Sequence, residues 1–355
     1  MMRARIRGAS DLAQTAEAAL SKNTEAMADL LEPVIGGAAR GQFAHAWGEH
    51  IEALFNYSRG LATKDESVRT QAHEELVEYE TDLAQFFAGA SHGRLTPEAA
   101  LSGIRTHVDH LVDNADAYAA RDYTQAAMLY RMSYAHSYEL GATWARGLLP
   151  DGVGKELDQP LMRLRSALTQ LLGEHVALVI AAMRSPTGDR AEFTAFGVAV
   201  NGNTVDLTSA IESLFGAEAA EGFQARWADH VDELVAYARA GALNDSARQE
   251  QARLHLRDFE QSLAGFLSGA TQNRLGQPAL AQAFLLHDRM LLAEVDAYSS
   301  KDYQQAHDLS YQAYEEMFGV SGQLANAIGA TVAGRLPSGG SQTGGGGMAS
   351  VVGGR

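Results

Sequence analysis

The sequence matches itself without a gap at an offset of 180 residues, from Asn23 to about Leu148. About three dozen of about 125 aligned residues are identical, well above the level expected of unrelated chains with this composition. Trp47 aligns with Trp227, for example. A repeat of this length predicts two tandem domains of the same fold.

Apolar residues recur at helical spacing through both copies, and no stretch alternates at period two, so we predict an all-α fold of two tandem antiparallel helical bundles. In the second copy this spacing predicts helices near 158–184, 190–200, 204–216, 217–241, 246–269, 278–299 and 302–328. Asn203-Thr204, repeated as Asn23-Thr24, is typical of a helix N-cap. Gly36 and Gly216 are expected to end short helices.

These patterns place the first bundle at 1–147, a linker at 148–160, the second bundle at 161–332 and a disordered Gly-rich tail at 333–355. The second copy opens with an apolar helix at 158–184, and its counterpart at the same offset would precede residue 4. The first bundle is therefore expected to lack its first helix. We expect upstream sequence to encode that helix, preceded by an export signal.

The formal charge of −16 argues against partners that need a positive field, namely nucleic acid and anionic membrane surfaces. The longest apolar run, 176–183, is too short to span a bilayer, so no membrane insertion is expected. The chain has no cysteine, which excludes disulfides and thiolate metal sites. The remaining candidate partners are a protein or the cell envelope, and the two halves are expected to pack on each other.

Ligand-capable side chains stand near the middle of helices, on stripes that should face a core. Burying such groups unpaired costs about 1–3 kcal/mol each. Antiparallel packing would bring them to a similar height, where imidazoles and a carboxylate suit Zn, Cu or non-haem Fe. The candidate metal ligands are His175, His230, His287 and Glu316 in the second half, and His50, His107 and His136 in the first.

Two alternative roles for these histidines stay open. They can be packing residues that donate to backbone carbonyls, or two of them can hold haem without a covalent link. Trp47 and Trp227 could line a haem pocket but are better explained by packing. His45 and His110 are not repeated and are assigned to the surface. Glu80 and Glu260 are repeated beside an apolar stripe and are assigned to an ion pair or a cap, with support of a histidine ligand as the alternative.

The chain contains none of the common catalytic or cofactor motifs, which include Glu-x-x-His, His-Glu-x-x-His, Cys-x-x-Cys-His, the P-loop and Gly-x-Ser-x-Gly. Catalysis is therefore not indicated. The leading hypothesis is a non-catalytic helical bundle protein with a buried histidine metal site in each half. The alternatives are a structural or interaction module, and a carrier of haem or another small apolar ligand.

Three motifs of the second copy resemble a family of exported bacterial all-helical proteins with tandem N-S-x-D-L, W-x-x-H and H-V patterns. They are Asn203-Thr204-Val205-Asp206-Leu207, Trp227-x-x-His230 and the helix around His287. The resemblance implies an all-α fold and an extracellular or cell-envelope location, but no particular activity. The family's histidines fall on His175, His230 and His287, and on His50 and His107. Ala26 replaces the motif aspartate in the first copy.

Overall fold

The computed structural model describes residues 1–185 and 189–335 and confirms the all-α fold, with no strand in these ranges. Its helices are α1 (Met2–Ile6), α2 (Ser10–Ile35), α3 (Gly37–Thr63), α4 (Glu66–Ala90), α5 (Pro97–Ala119), α6 (Tyr123–Leu148), α7 (Asp151–Glu156), α8 (Pro160–Met183), α9 (Arg190–Phe215), α10 (Ala217–Ala242), α11 (Ser246–Ala270), α12 (Gln277–Ser299) and α13 (Tyr303–Arg335).

Helix boundaries in the two halves correspond at the offset of the sequence repeat. The first residues of α2 to α6 each fall 180 positions before the first residues of α9 to α13. Helix α8 is the exception, because only the short α1 falls within the corresponding stretch of the first half. The second bundle is therefore built around one more long helix than the first.

The predicted helix start at Asn203-Thr204 is wrong, because both residues lie in the middle of the continuous helix α9. Asn203 is fully buried and donates from its side-chain amide to the carbonyl of Leu171 and to Glu174 on α8. The residue therefore joins two helices instead of capping one. Asn23 and Thr24 likewise lie within α2.

The helix ends predicted at Gly36 and Gly216 are confirmed, although the helices that end there are long instead of short. Gly36 and Gly216 end α2 and α9 with φ angles of 85° and 89°, a left-handed conformation that glycine adopts at little cost. Asp122 and Asp302 cap α6 and α13, since each side chain accepts a hydrogen bond from a backbone N–H three residues ahead.

Helix α8 is the central helix of the second bundle and packs against α9, α10, α12 and α13. Leu172, Val176, Val179 and Ala182 form part of its buried surface. It is the one helix of the described chain long and apolar enough to span a bilayer, with a mean hydropathy of 1.4 over its best window. Two-thirds of that window (67%) is buried inside the bundle, as in the core helix of a globular protein.

The two halves pack on each other through reciprocal contacts. Helix α6 of the first half lies against α9 of the second, and α13 of the second lies against α2 of the first. The hydroxyls of Tyr134 and Tyr314, which occupy equivalent repeat positions, hydrogen-bond to each other. Reciprocal contacts between equivalent residues indicate an approximate two-fold relation between the halves.

The predicted linker and the predicted tail both overlap helices of the structure. The linker assigned to 148–160 contains the short helix α7. The Gly-rich tail assigned to 333–355 begins within α13, and residues 336–355 lie outside the described residues.

Candidate metal centre

Three histidines from three helices meet in the core of the second bundle. His175 lies on α8, His230 on α10 and His287 on α12, and they are 0%, 1% and 3% exposed. Each belongs to a helix face that is otherwise apolar, so burial of that face carries the imidazole inward. The sequence prediction that these residues lie at a similar height in the bundle is confirmed.

The three imidazoles have the spacing of a ligand set. One ring nitrogen from each lies within 4.8 Å of the other two. A tetrahedral zinc site with Zn–N bonds of about 2.0–2.1 Å holds its nitrogens about 3.3 Å apart, so the three rings would have to move closer together to bind an ion. Within residues 1–185 and 189–335, no other group of three histidine or carboxylate side chains has this arrangement.

The histidines of the second bundle lack the hydrogen bonds expected of packing residues. Both ring nitrogens of His175 and Nδ1 of His230 are buried without a hydrogen-bond partner, and His287 has only a contact with the Ala313 carbonyl. Each unpaired buried group costs about 1–3 kcal/mol. Coordination of one cation would satisfy a nitrogen on each of the three rings.

Burial keeps these imidazoles neutral. It lowers the pKa of His175 and of His230 well below the usual value, and nearby histidines lower both further. It lowers the pKa of His287 to about 4, against a smaller opposing effect of the Ala313 carbonyl. Neutral imidazole is the form that binds a transition metal, so the ligands need no deprotonation near pH 7.

Aromatic rings fix the orientation of the three histidines. Trp227 packs on His175 with their ring centroids 4.7 Å apart. Phe259 stacks on His230 at 4.1 Å with an angle of 14° between the rings. The structure therefore gives Trp227 a packing role beside the histidines, and Trp47 has the same role against His50 at 4.5 Å.

A buried carboxyl pair stands behind His230. Oδ1 of Asp288 lies 3.6 Å from Nδ1 of His230, and the Asp288 side chain faces that of Glu260. Burial raises the pKa of Asp288 well above its usual value, and the neighbouring Glu260 raises it further. Burial also raises the pKa of Glu260 to about 7. A carboxyl group beside the outer nitrogen of a histidine is a common support of metal ligands.

A small cavity leads to this carboxyl pair. It has a volume of about 270 Å³ and is bounded by Glu260 and Asp288 together with Arg253, Arg257 and Arg289. An ion that reached Asp288 through it would be next to His230.

A larger cavity of about 1120 Å³ lies between the halves and is lined by α1, α2, α8 and α13. Its walls include Leu12, Val176, Arg184 and Tyr314, but none of His175, His230 and His287. The space near the three histidines is instead filled by aromatic side chains, which leaves this larger cavity outside the candidate site.

Glu316, the fourth predicted ligand of the second half, does not join the three histidines. Helix α13 buries Ala313, Met317 and Val320, and Glu316 lies partly buried at the edge of that face. A helix that turns those three residues inward directs the intervening glutamate sideways.

The first half brings two of its three predicted ligands together. The rings of His50 and His107 are 6.2 Å apart, close to the 6.3 Å between His230 and His287. Nδ1 of His50 lies 2.5 Å from the carbonyl of Trp47, and burial lowers the pKa of His50 to about 3. Among the described residues no third histidine joins this pair, because those of the first half include no counterpart of α8.

His136, the third predicted ligand of the first half, makes its own hydrogen bond. Its Nε2 lies 2.8 Å from the carbonyl of Gly103, and its ring packs against His110 with centroids 5.6 Å apart. The assignment of His110 to the surface is therefore wrong, since it is partly buried against another histidine. His45 is exposed beside Glu49, as expected.

Asp288 is the site residue that sequence comparison missed. It directly follows His287, but its repeat counterpart is Val108, so agreement between the copies does not select it. Its position four residues after Phe284, on the same apolar stripe, was the available signal. Glu80, by contrast, pairs with Arg105 at 3.1 Å, in agreement with the predicted ion pair.

No family model, curated protein or solved structure matches this chain. The chemistry of the candidate site therefore follows from its own geometry.

Proposed function

We propose that this protein binds one transition metal ion in its second bundle, through His175, His230 and His287, and that the role is non-catalytic. The observation that carries the proposal is the convergence of three buried imidazoles, with one ring nitrogen of each within 4.8 Å of the other two. Imidazole ligands favour Zn²⁺, Cu²⁺ or Fe²⁺ over the hard cations that prefer oxygen.

The surroundings of the three histidines fit a closed site better than an active site. Trp227 and Phe259 pack directly on the ligands. Catalytic zinc sites keep a position open for substrate or water, whereas structural sites are enclosed. An ion held here would join α8, α10 and α12 and stabilise the bundle in proportion to its affinity.

Titration calorimetry and thermal unfolding with Zn²⁺, Cu²⁺ and Fe²⁺ test the proposal. We expect one of these ions to bind and raise the Tm. We expect His287→Ala to weaken the binding of that ion at least a hundredfold. His107→Ala alters the equivalent repeat position and serves as the matched control, which should bind like the wild type. Circular dichroism verifies that both variants are folded.

Two results would contradict metal binding. The first is an unchanged Tm with all three ions, which is the outcome expected if the histidines only pack. The second is a Soret band on addition of haem that His287→Ala abolishes, which would assign the histidines to haem. Equal binding by the two histidine variants would place the metal elsewhere.

We further propose an extracellular or cell-envelope location, supported by the resemblance of the N-T-V-D-L, W-x-x-H and His287 motifs to exported helical proteins. Fractionation of cells that express the native gene, followed by detection with an antibody, tests it. The protein is expected in the medium or envelope fraction, and recovery in the cytosol alone would contradict the proposal.

A further inference from the structure

Glu80 and Glu260 occupy equivalent repeat positions, but only Glu80 is paired with a cation. Arg105 on α5 lies 3.1 Å from the buried carboxylate of Glu80. The equivalent residue on α12 is Leu285, which carries no charge. Glu260 is 4% exposed and forms no ion pair with a residue of the described ranges. The second bundle therefore buries a carboxyl group without the arginine that serves its repeat partner.

Asp288 places a second carboxyl group against Glu260. It is 2% exposed, and its repeat partner is Val108. No arginine or lysine of the described chain forms an ion pair with it. The basic group beside it is Nδ1 of His230 at 3.6 Å, and burial keeps that imidazole neutral. Buried carboxyl groups without a cation are costly, so a cation that reached this pair would be bound favourably.

The small cavity of about 270 Å³ gives access to the carboxyl pair, which is Glu260 and Asp288. Leu285, at the position of the missing arginine, also lines it. Leu256 and Leu292 are among its apolar walls. Pockets for drug-sized ligands have volumes of about 300–1,000 Å³, so this cavity suits a smaller molecule.

Two arginines of this cavity have no anionic partner. Arg257 and Arg289 line it, and both are exposed. Neither forms an ion pair with a residue in the described part of the chain. Burial raises the pKa of Glu260, and these two guanidinium groups oppose that effect from a distance. Arg253, the third arginine of the wall, is instead held by the hydroxyl of Tyr237. We call Arg257 and Arg289 the unpaired arginines.

We propose that this cavity binds a small molecule with a guanidinium group at one end and a carboxylate at the other. The guanidinium would take the place of the Arg105 side chain, since its planar set of N–H groups can donate to both members of the carboxyl pair. The carboxylate would bind the unpaired arginines, and the carbon chain would lie on the apolar wall.

The first half offers neither end of such a site. Its carboxyl group is already paired with Arg105, and the unpaired arginines are replaced there by Val77 and Asp109. The proposed ligand uses none of the three converging histidines, so its binding does not depend on a metal ion.

Isothermal titration calorimetry with L-arginine, on the metal-free full chain, tests the proposal. We expect one-to-one binding. Leu285→Arg copies the first half and supplies a tethered guanidinium to the carboxyl pair, so it should weaken L-arginine binding at least tenfold and raise the Tm. Leu286→Arg is the matched control, because it adds the same charge at the next, exposed position of α12. This control should bind L-arginine like the wild type.

Two further variants test the two ends of the ligand separately. Glu260→Gln should weaken both L-arginine and ethylguanidinium, which has no carboxylate, at least tenfold. Arg257→Ala with Arg289→Ala should weaken L-arginine at least tenfold but should not weaken ethylguanidinium. Circular dichroism verifies that each variant is folded.

Four outcomes would overturn the proposal. The first is no binding of L-arginine to the wild type, and the second is equal binding by Leu285→Arg and Leu286→Arg. The third is wild-type affinity of Glu260→Gln for L-arginine. The fourth is an unchanged affinity for L-arginine in the variant that lacks both unpaired arginines, since these would then not recognise the carboxylate.

Discussion

His287 is held neutral by burial, and this has a direct consequence for stability at low pH. Its pKa is about 4 in the folded protein, against about 6.5 for an exposed histidine. Between these values the unfolded chain binds a proton that the folded chain does not. The contribution of the neutral His287 to the free energy of unfolding is therefore fully present above pH 6.5 and is lost as the pH falls towards 4.

We predict that the free energy of unfolding of His287→Gln, relative to that of the wild type, rises by about 3 kcal/mol from pH 7 to pH 4, because glutamine does not titrate. Urea unfolding of both metal-free proteins at the two pH values measures this difference. Glu260, whose raised pKa acts in the opposite direction, is present in both proteins and cancels. A stability difference that is equal at pH 7 and pH 4 would show that His287 is not buried as described.

For single residues, the sequence correctly predicts burial where a side chain lies on a periodic apolar stripe of a helix. His175, His230 and His287 lie on apolar stripes, and the structure places them together. The sequence prediction fails where the direction of a side chain depends on the exact rotation of its helix, because Glu316 lies at the edge of the buried face of α13. Asp288 is missed because its repeat partner is apolar.

Helix α8 determines which polar side chains of the neighbouring helices are buried. Asn203 is enclosed because α8 covers it, and it hydrogen-bonds to the Leu171 carbonyl and to Glu174. Asn23, at the same repeat position, is exposed because no such helix lies over α2. The same residue type thus has two energetic roles in one chain.

This contrast gives a prediction at the level of the element. Asn203→Ala should destabilise the protein by about 2 kcal/mol, since it leaves buried acceptors unpaired. Asn23→Ala should change stability by less than about 0.5 kcal/mol. Chemical denaturation measures both, and equal effects of the two substitutions would contradict the covering role of α8.

Helix identity and the helix ends at Gly36 and Gly216 were predictable, because glycine signals act locally. The break predicted at Asn203 was not correct, since the same residue type serves as an N-cap and as a buried donor between helices. Only the tertiary position of α8 decides between these roles.

The whole molecule is held together by contacts that cross the approximate two-fold axis. Arg131 on α6 reaches Glu174 on α8 at 2.8 Å and Asp206 on α9 at 2.6 Å. Glu174 is buried, so this ion pair is partly shielded from water. Its repeat counterpart is Tyr311, so the bridge is made on one side of the axis only, and comparison of the copies could not predict it.

Removal of this bridge should weaken the association of the halves. We predict that Arg131→Ala destabilises the protein by about 3 kcal/mol, because it leaves the buried Glu174 without its cation. Arg40→Ala breaks exposed ion pairs within the first half and should have little effect. Chemical unfolding, monitored by tryptophan fluorescence, compares the two variants. Similar losses of stability would argue against a buried ion pair between the halves.

The two halves also differ in what they can bind. The second bundle has three converging imidazoles, whereas the first has the pair His50 and His107 with no counterpart of His175. One ion per chain is the stoichiometry that follows from this asymmetry.

Elemental analysis of protein purified without an affinity tag and loaded with the preferred ion tests the central claim most directly. We predict one ion per chain, lost in His175→Ala and retained in His50→Ala. Two ions per chain, none, or one ion that survives His175→Ala would contradict a single site built by His175, His230 and His287.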